Sequence, residues 1–187
     1  IEIVEHSHAA LAHAYEAGAS RLPFAVLRGY VGTDFAAVNP EIRSVTCPFT
    51  GEGLAAVPAI NPDLTFIHAL KADRAGNVLI EGITGVQKEA VLAAGKAVVT
   101  VEETVDSLDP HPNALVLPHW VVTAVAEVPG GAHPSYAHGY YPRDNATYRA
   151  WDAISADRAR FLDWMKTHVI DEDARVFATR VAKLTDG

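Results

Sequence analysis

The sequence predicts an α/β protein, and three observations carry that expectation. Apolar runs of strand length recur along the chain, with "LTFIHAL" (64–70) and "KAVVTVEE" (96–103) the clearest. Between them lie Ala-rich stretches or stretches with apolar residues three and four positions apart, the helical period. From residue 146 onward the helical period takes over. Alternation of this kind implies a mostly parallel sheet with helical cover. The expected division is an α/β core over 1–145 and a helical C-terminal extension over 146–187, packed on the core or on a partner.

Each element has a local reason. "IEIV" (1–4) reads as a strand, and the chain thus opens inside an apolar run with no initiator Met. A strand cannot start a domain without neighbours for its backbone groups, so the chain is expected to be the C-terminal part of a longer one, the alternative being a complete protein whose edge strand comes first. Ser7 suits a helix N-cap, and "HAALAHAYEAGA" (8–19) after it is helical, with Gly18 expected to stop it. "LPFAVLR" (22–28) reads as a strand and "GYVGTDF" (29–35) as a loop. Short strands are expected at 44–47 and 54–56, joined by the turn "PFTGEG" (48–53). "LTFIHAL" is continuously apolar, as in a strand buried on both faces, and "VLIEGI" (78–83) is another strand. Residues 85–94 read as a helix with Lys88 and Glu89 outward, 96–103 and 114–117 as strands, and 121–128 as a strand whose alanines suit a helix as well. "PGGAHPS" (129–135) must be irregular. Helices at 148–153, 158–168 and 172–184 close the chain.

Composition excludes several classes. With 187 residues, 49% of them hydrophobic, the chain can bury a sizeable core. A net charge of −8 argues against a nucleic-acid partner. No apolar run approaches the roughly 18 residues of a membrane span. The single cysteine, Cys47, forms no internal disulfide and fits a reducing compartment, the cytoplasm. In "VTCPF" it reads as a packing residue.

The candidate chemistry is carboxylate chemistry. Glu5 and Glu102 stand at the carboxyl ends of expected strands, where ligands bind in parallel sheets. A carboxylate there can be a nucleophile, a base or a clamp; equally, it can stabilise a helix dipole or sit in solvent. His6, His8 and His13 do not converge, so no metal site is expected. The glycine stretches lack the strand–GxGxxG–helix context of a dinucleotide site, although "PGGAH" could cradle an anion through its N–H groups. Trp151, Ile154, Phe161, Leu162 and Met165 form a stripe at helical spacing, which reads as core or interface. "HALKADRAGN" (68–77) reads as a polar turn, with Asp73 folded onto backbone N–H groups and Gly76 and Asn77 tolerating positive φ. The residues alone name no reaction.

A resemblance takes the reading further. "CPFTGEGLAAVPAINPDLTFIHALKADRAGNVLIEG" (47–82) resembles the α subunit of the two-subunit family I CoA-transferases of the glutaconate type. The likeness continues in "RLPFAVLRGYVGTD", in "VTVEETV" and in "AVAEVPGGAHPSYAHGYYPRDNATYRAWDAIS", so it covers nearly the whole chain in family order. It implies a NagB/RpiA/CoA-transferase-like fold and a β-subunit partner of similar fold. It also implies ping-pong transfer of CoA between an acyl-CoA and a carboxylic acid. The CoA thioester is then a substrate, with no cofactor held covalently by this chain, and the nucleophilic Glu lies on the β subunit. By this resemblance Ser7, His8, Arg28, Gly32, Thr33 and Asp34 are substrate-binding candidates, and Glu52, His68, Asp73, Asn77 and Glu102 supporting or structural ones. The family's N-terminal G-x-G-G-type loop, which would serve the oxyanion, is not in this sequence, so the chain alone is expected to be inactive. A related branch that opens a steroid-derived ring in a CoA thioester by hydrolysis is also similar, through "EVPGGAH". It would make Glu5 a catalytic candidate. A non-catalytic scaffold is the third expectation. Contact with the phosphates of CoA would fall mainly to the partner, or to Arg28, Lys71 and Arg74.

Overall fold

The computed structural model describes residues 3–185. The chain forms two compact units interleaved in sequence. The first runs to residue 67 and takes in 83–98 and 120–123; the second comprises 68–82, 99–119 and 124 onward.

The first unit is built on helix α1 (His8–Ala19). The Ser7 Oγ accepts the Ala10 N–H at 3.2 Å and so caps its first turn. Ala10 and Ala14 pack into a core with Tyr30, Ile42, Ala55 and Val57. Gly18 lies inside α1 and does not stop it. A Cβ there would stand 2.1 Å from the carbonyl oxygen of Ile60, so the glycine serves a close backbone approach. The stop is Arg21, at φ 56°, with Leu22 N–H bonded to Ala17 O at 2.8 Å and Arg21 N–H to Gly18 O at 3.0 Å. Those are the two hydrogen bonds of a Schellman ending, made here without glycine at its left-handed position. Strands β1 (Phe24–Leu27), β2 (Arg43–Thr46) and β3 (Gly53–Pro58) form a three-stranded antiparallel sheet in the order β1-β3-β2. A short helix α2 (Phe35–Val38) follows the expected glycine loop, and α3 (Gln87–Ala93) packs against α1.

The other sheet has five strands, β4 (Thr65–Asp73), β5 (Val78–Ile80), β6 (Ala97–Val105), β7 (Leu115–Leu117) and β8 (Ala124–Glu127), in the order β7-β5-β4-β6-β8. The α/β class stands, but the pairs β4–β5 and β5–β7 are antiparallel, as are both pairs of the smaller sheet, where a mostly parallel sheet was expected. Chain length gives the reason for β4–β5: a parallel pair needs a crossover of about a dozen residues, and β4 turns straight into β5. Nor is β4 buried on both faces throughout, since Phe66 is 69% exposed. The tail carries α4 (Asn145–Ser155), α5 (Arg158–Met165) and α6 (Ala174–Ala182), capped by Asp144, Asp157 and Asp173. Between α5 and α6, Lys166–Ile170 form a π-helical turn. Leu70, Ala137, Tyr141 and Val181 form the core beneath the tail. Among the described residues, no helix is long and apolar enough to cross a membrane.

Candidate active site

In the second unit the candidate residues gather on Glu102. Strand β6 continues to Val105, so Glu102 lies within the strand and not beyond its end, and it is buried where a solvated group was the alternative. His68 Nε2 donates to its Oε1 at 2.6 Å, the Tyr141 hydroxyl donates to the same oxygen at 2.6 Å, and the Gly130 N–H donates to Oε2 at 2.8 Å. Burial pushes the Glu102 carboxyl up, but the bonds from His68, Tyr141 and Gly130 outweigh it and hold the group below its ordinary value. Burial, then the neighbouring carboxylate, pushes the Tyr141 phenol up. With Nε2 donating to Glu102, a neutral His68 ring accepts at Nδ1, where the Thr100 hydroxyl lies 2.8 Å away. Gly131 makes room for this ring: a Cβ there would stand 2.6 Å from His68 Nδ1. The "PGG" stretch therefore does meet an anion, and that anion is the chain's own Glu102. A carboxylate so buried, with both oxygens engaged, is a fixed charge and not a free nucleophile.

The turn after β4 is locked in the same manner. Asp73 Oδ1 accepts the N–H groups of Ala75 and Asn77 at 3.0 and 2.9 Å, and Oδ2 accepts the Asn77 side-chain N–H at 2.8 Å. These bonds, the Asn77 side chain first, hold the Asp73 carboxyl low. Asn77 Oδ1 accepts the His119 N–H at 2.9 Å. Asp73 and Asn77 thus come together as an Asx-type lock, with Gly76 at φ 89° completing the turn.

In the first unit, the candidates lie around the start of α1. Ser7 N–H donates to the Tyr30 hydroxyl at 2.7 Å, and the Thr33 hydroxyl donates to Tyr30 O at 3.0 Å, so Tyr30 ties these two candidates together. Glu5 does not follow a strand. Ile1 and Glu2 of the expected strand lie outside the described residues, and 3–7 have no regular structure. Its carbonyl oxygen accepts the buried Asn39 Nδ2–H at 2.8 Å, while its carboxylate is exposed and forms no ion pair among the described residues. His8, Gly32 and Asp34 are exposed as well, and Asp34 makes no side-chain cap bond to α2. Arg28 is not free: its Nε and Nη2 donate to the two oxygens of Glu52 at 2.8 Å each, and this lowers the Glu52 carboxyl and raises the guanidinium. Lys71 pairs with Glu103 at 2.8 Å and Arg74 with Asp106 at 2.6 Å. All three cations considered for CoA phosphates are engaged by carboxylates. Among the described residues no group of three or more His, Cys, Asp or Glu could hold a metal ion.

Sequence reasoning missed Tyr30, Asn39, Thr100, Gly130 and Tyr141 as members of these clusters. Their partners lie 23 to 39 residues away in sequence for Tyr30, Asn39, Gly130 and Tyr141, so no local spacing marks them. The sequence signals were the N–H groups of "PGGAH", read as an anion cradle without its anion, and the length of the stretch around Gly130 and Tyr141 that bore the family likeness.

Comparison with known proteins gives this geometry its context. The family profile described as Coenzyme A transferase matches residues 1–128. The α subunit of the 3-oxoadipate CoA-transferase of Pseudomonas knackmussii is 58% identical over the whole chain, which covers 66% of that protein. The cholesterol ring-cleaving hydrolase IpdA subunit of Mycobacterium tuberculosis is 29% identical over 93% of this chain and 63% of its own length. The solved structure of glutaconate coenzyme A-transferase from Acidaminococcus fermentans superimposes with a TM-score of 0.84 at 28% identity, over 96% of this chain and 64% of that one. The chain therefore spans just under two thirds of the length of these relatives. With a family profile matched over more than half its residues, the chain belongs to the coenzyme A transferase family.

Proposed function

We propose that this chain is part of the α subunit of a two-subunit CoA-transferase that moves CoA between an acyl-CoA and a carboxylic acid. The observation that carries the reading is 58% identity, over every residue of the chain, to a protein named as such a subunit. The geometry agrees with it. The buried carboxylate, Glu102, is held by three donors and is not free to attack a thioester, which fits the resemblance, by which the nucleophilic Glu lies on a β subunit of similar fold. In the transfer that carboxylate adds to the thioester carbonyl and expels CoA thiolate, leaving an acyl-glutamyl anhydride. The thiolate then attacks the glutamyl carbonyl and releases the first acid. The acceptor carboxylate reverses the sequence and leaves with CoA. Ser7, His8, Gly32, Thr33 and Asp34 would face the substrate, while His68, Asp73, Asn77 and Glu102 hold the scaffold, joined by Arg28, a substrate-binding candidate that Glu52 engages instead. The compartment is the cytoplasm and the acceptor a dicarboxylic acid of the 3-oxoadipate kind. Co-purification with the product of the neighbouring gene, followed by incubation with an acyl-CoA and 3-oxoadipate, tests this. CoA exchange is expected, with a borohydride-sensitive glutamyl thioester on the partner; no exchange across a broad acid panel would sink the reading.

Two observations favour a second reading, ring-opening hydrolysis of a CoA thioester: the likeness to a hydrolase subunit, and the exposed carboxylate of Glu5, which forms no ion pair among the described residues. Under it, Glu5→Gln abolishes turnover while the thioester still binds. Under the transferase reading the same variant keeps its covalent intermediate on the partner. Failure of the complex to bind any CoA thioester would instead leave a scaffold role.

A further inference from the structure

We propose that the helical tail of the second unit binds a nucleotide, with the base in an aromatic cavity and the phosphates on a basic strip of α6. The cavity has a volume of about 420 Å³, within the range of small-molecule sites. Tyr148, Trp151, Trp164 and Phe177 form its walls, His133 and Arg180 are among its polar residues, and no carboxylate lines it. Trp151 and Trp164 meet edge to face, with centroids 5.0 Å apart at 79°, and His133 and Phe177 do so at 6.0 Å and 82°. Rings held this way can still offer a face to a flat ligand, and stacking on aromatic side chains accepts any base.

A second depression adjoins the first at Arg180. It is lined by Arg175, Val176, Thr179, Arg180 and Lys183, which helical spacing puts on one side of the chain. Arg180 gives Nε and Nη2 to Glu172 at 3.0 Å each, and Nη1 takes no part in that pair. Arg175 and Lys183 are exposed and form no ion pair among the described residues. That sets them apart from Arg28, Lys71 and Arg74, each engaged by a carboxylate. In a chain of net charge −8, Arg175 and Lys183 are thus two cations on one side of α6 without an ion pair among the described residues, beside Arg180, which Glu172 engages. A neutral aromatic ligand would leave the strip unused, and a bare anion would leave the cavity unused. A ligand with a flat ring and phosphates uses both. The inference is argued from the cavity and the strip themselves, at 133–183, and does not rest on the transferase reading. The shared chemistry is that of a nucleotide, free or as the end of a larger molecule such as coenzyme A.

The chain's three tryptophans supply the probe. Trp120 is exposed and does not line the cavity, so in Trp120→Phe the emission reports on Trp151 and Trp164. Titration of that protein with ADP is expected to give saturable quenching, with adenosine clearly weaker and inorganic phosphate silent. Arg175→Gln with Lys183→Gln should weaken ADP about ten-fold, as for lost charge-assisted contacts, and leave the melting temperature unchanged. ADP binding that the double variant weakens supports the site; ADP without coenzyme A points to a free nucleotide, and ADP together with coenzyme A leaves the nucleotide as the shared element. Coenzyme A without ADP overturns the proposal, as does quenching that adenosine matches or that the double variant leaves intact. So does the absence of saturation by either ligand up to about 1 mM, an affinity too weak to specify a ligand.

Discussion

Glu102 keeps its charge in a place water hardly reaches, and the balance of forces there can be read from its direction of titration. Burial alone would raise its pKa; the net shift is downward, so the donors from His68, Tyr141 and Gly130 win. Removing one side of such an arrangement leaves the rest unpaired. Glu102→Ala is expected to cost about 3–5 kcal/mol, because Tyr141, Gly130 and His68 all lose an acceptor. Tyr141→Phe is expected to cost about 1.5–3 kcal/mol, since it takes a donor from the carboxylate and an acceptor from the Ala132 N–H. Urea unfolding at neutral pH measures both, and a loss for Glu102→Ala below about 1 kcal/mol would mean that water satisfies the abandoned donors. The pH dependence has a definite sign. The folded pKa of Glu102 lies below its unfolded value, so its contribution is fully present above the unfolded value of about 4.3. That contribution fades as pH falls from there through the folded value. Asp144, held low by the Thr147 hydroxyl and N–H and by His133, acts in the same direction. Glu102→Gln should therefore flatten, and not shift upward, the acid limb of a stability-against-pH curve.

At the scale of elements, a glycine gives the sharpest case. A Gly→Ala change inside a helix is ordinarily worth about 1 kcal/mol of stabilisation. At Gly18 the added Cβ would stand 2.1 Å from a backbone oxygen, which no side-chain rotation relieves. Overpacking of this kind costs about 1–3 kcal/mol or more, so the clash decides the sign, and Gly18→Ala is expected to lower the melting temperature. A rise would show that α1 can move off residues 60–61. The same glycine shows where the sequence was legible. The bounds of α1, its Ser7 cap, β6 and the tail helices follow from local period and local chemistry, and they stand close to where those put them; β4 instead runs on to Asp73, so 68–73 of the expected polar turn are strand. Gly18 does not act as the stop that local chemistry suggests, because its reason is Ile60, far along the chain. The antiparallel pairing escapes a sequence reading because alternating elements do not state which strands are neighbours. Glu102 reads as a strand-end residue because nothing local says that β6 runs on to Val105. Of the candidate site, the Asp73–Asn77 lock was legible, being made within one turn. The Arg28–Glu52 and His68–Glu102 pairs were not, since their members are 24 and 34 residues apart.

For the whole molecule, the distribution of exposed apolar side chains bears on assembly. Ile3, Val38, Phe49, Ile83 and Trp120 are between 74% and 94% exposed, and all five belong to the first unit. In the second unit only Ile170, at 72%, comes near them. Single exposed apolar residues need no explanation, but a surplus in one unit is what an interface between subunits leaves on an isolated chain. If the chain is part of the α subunit of a heteromer, the first unit carries the apolar side chains that the partner or the rest of the same subunit would cover, and the partner is the case tested. Val38→Ser with Phe49→Ser should then weaken retention of the co-expressed partner by about 1–3 kcal/mol, the range of lost interface anchors. Its unfolding free energy should stay within about 0.5 kcal/mol, because neither side chain is buried in the chain itself. Ile170→Ser is the control on the second unit, expected to change neither quantity. Pull-down and analytical ultracentrifugation of the three complexes, wild type and both variants, read the difference. Loss of partner in Ile170→Ser with full retention in the Val38/Phe49 variant would place assembly on the second unit and overturn the assignment.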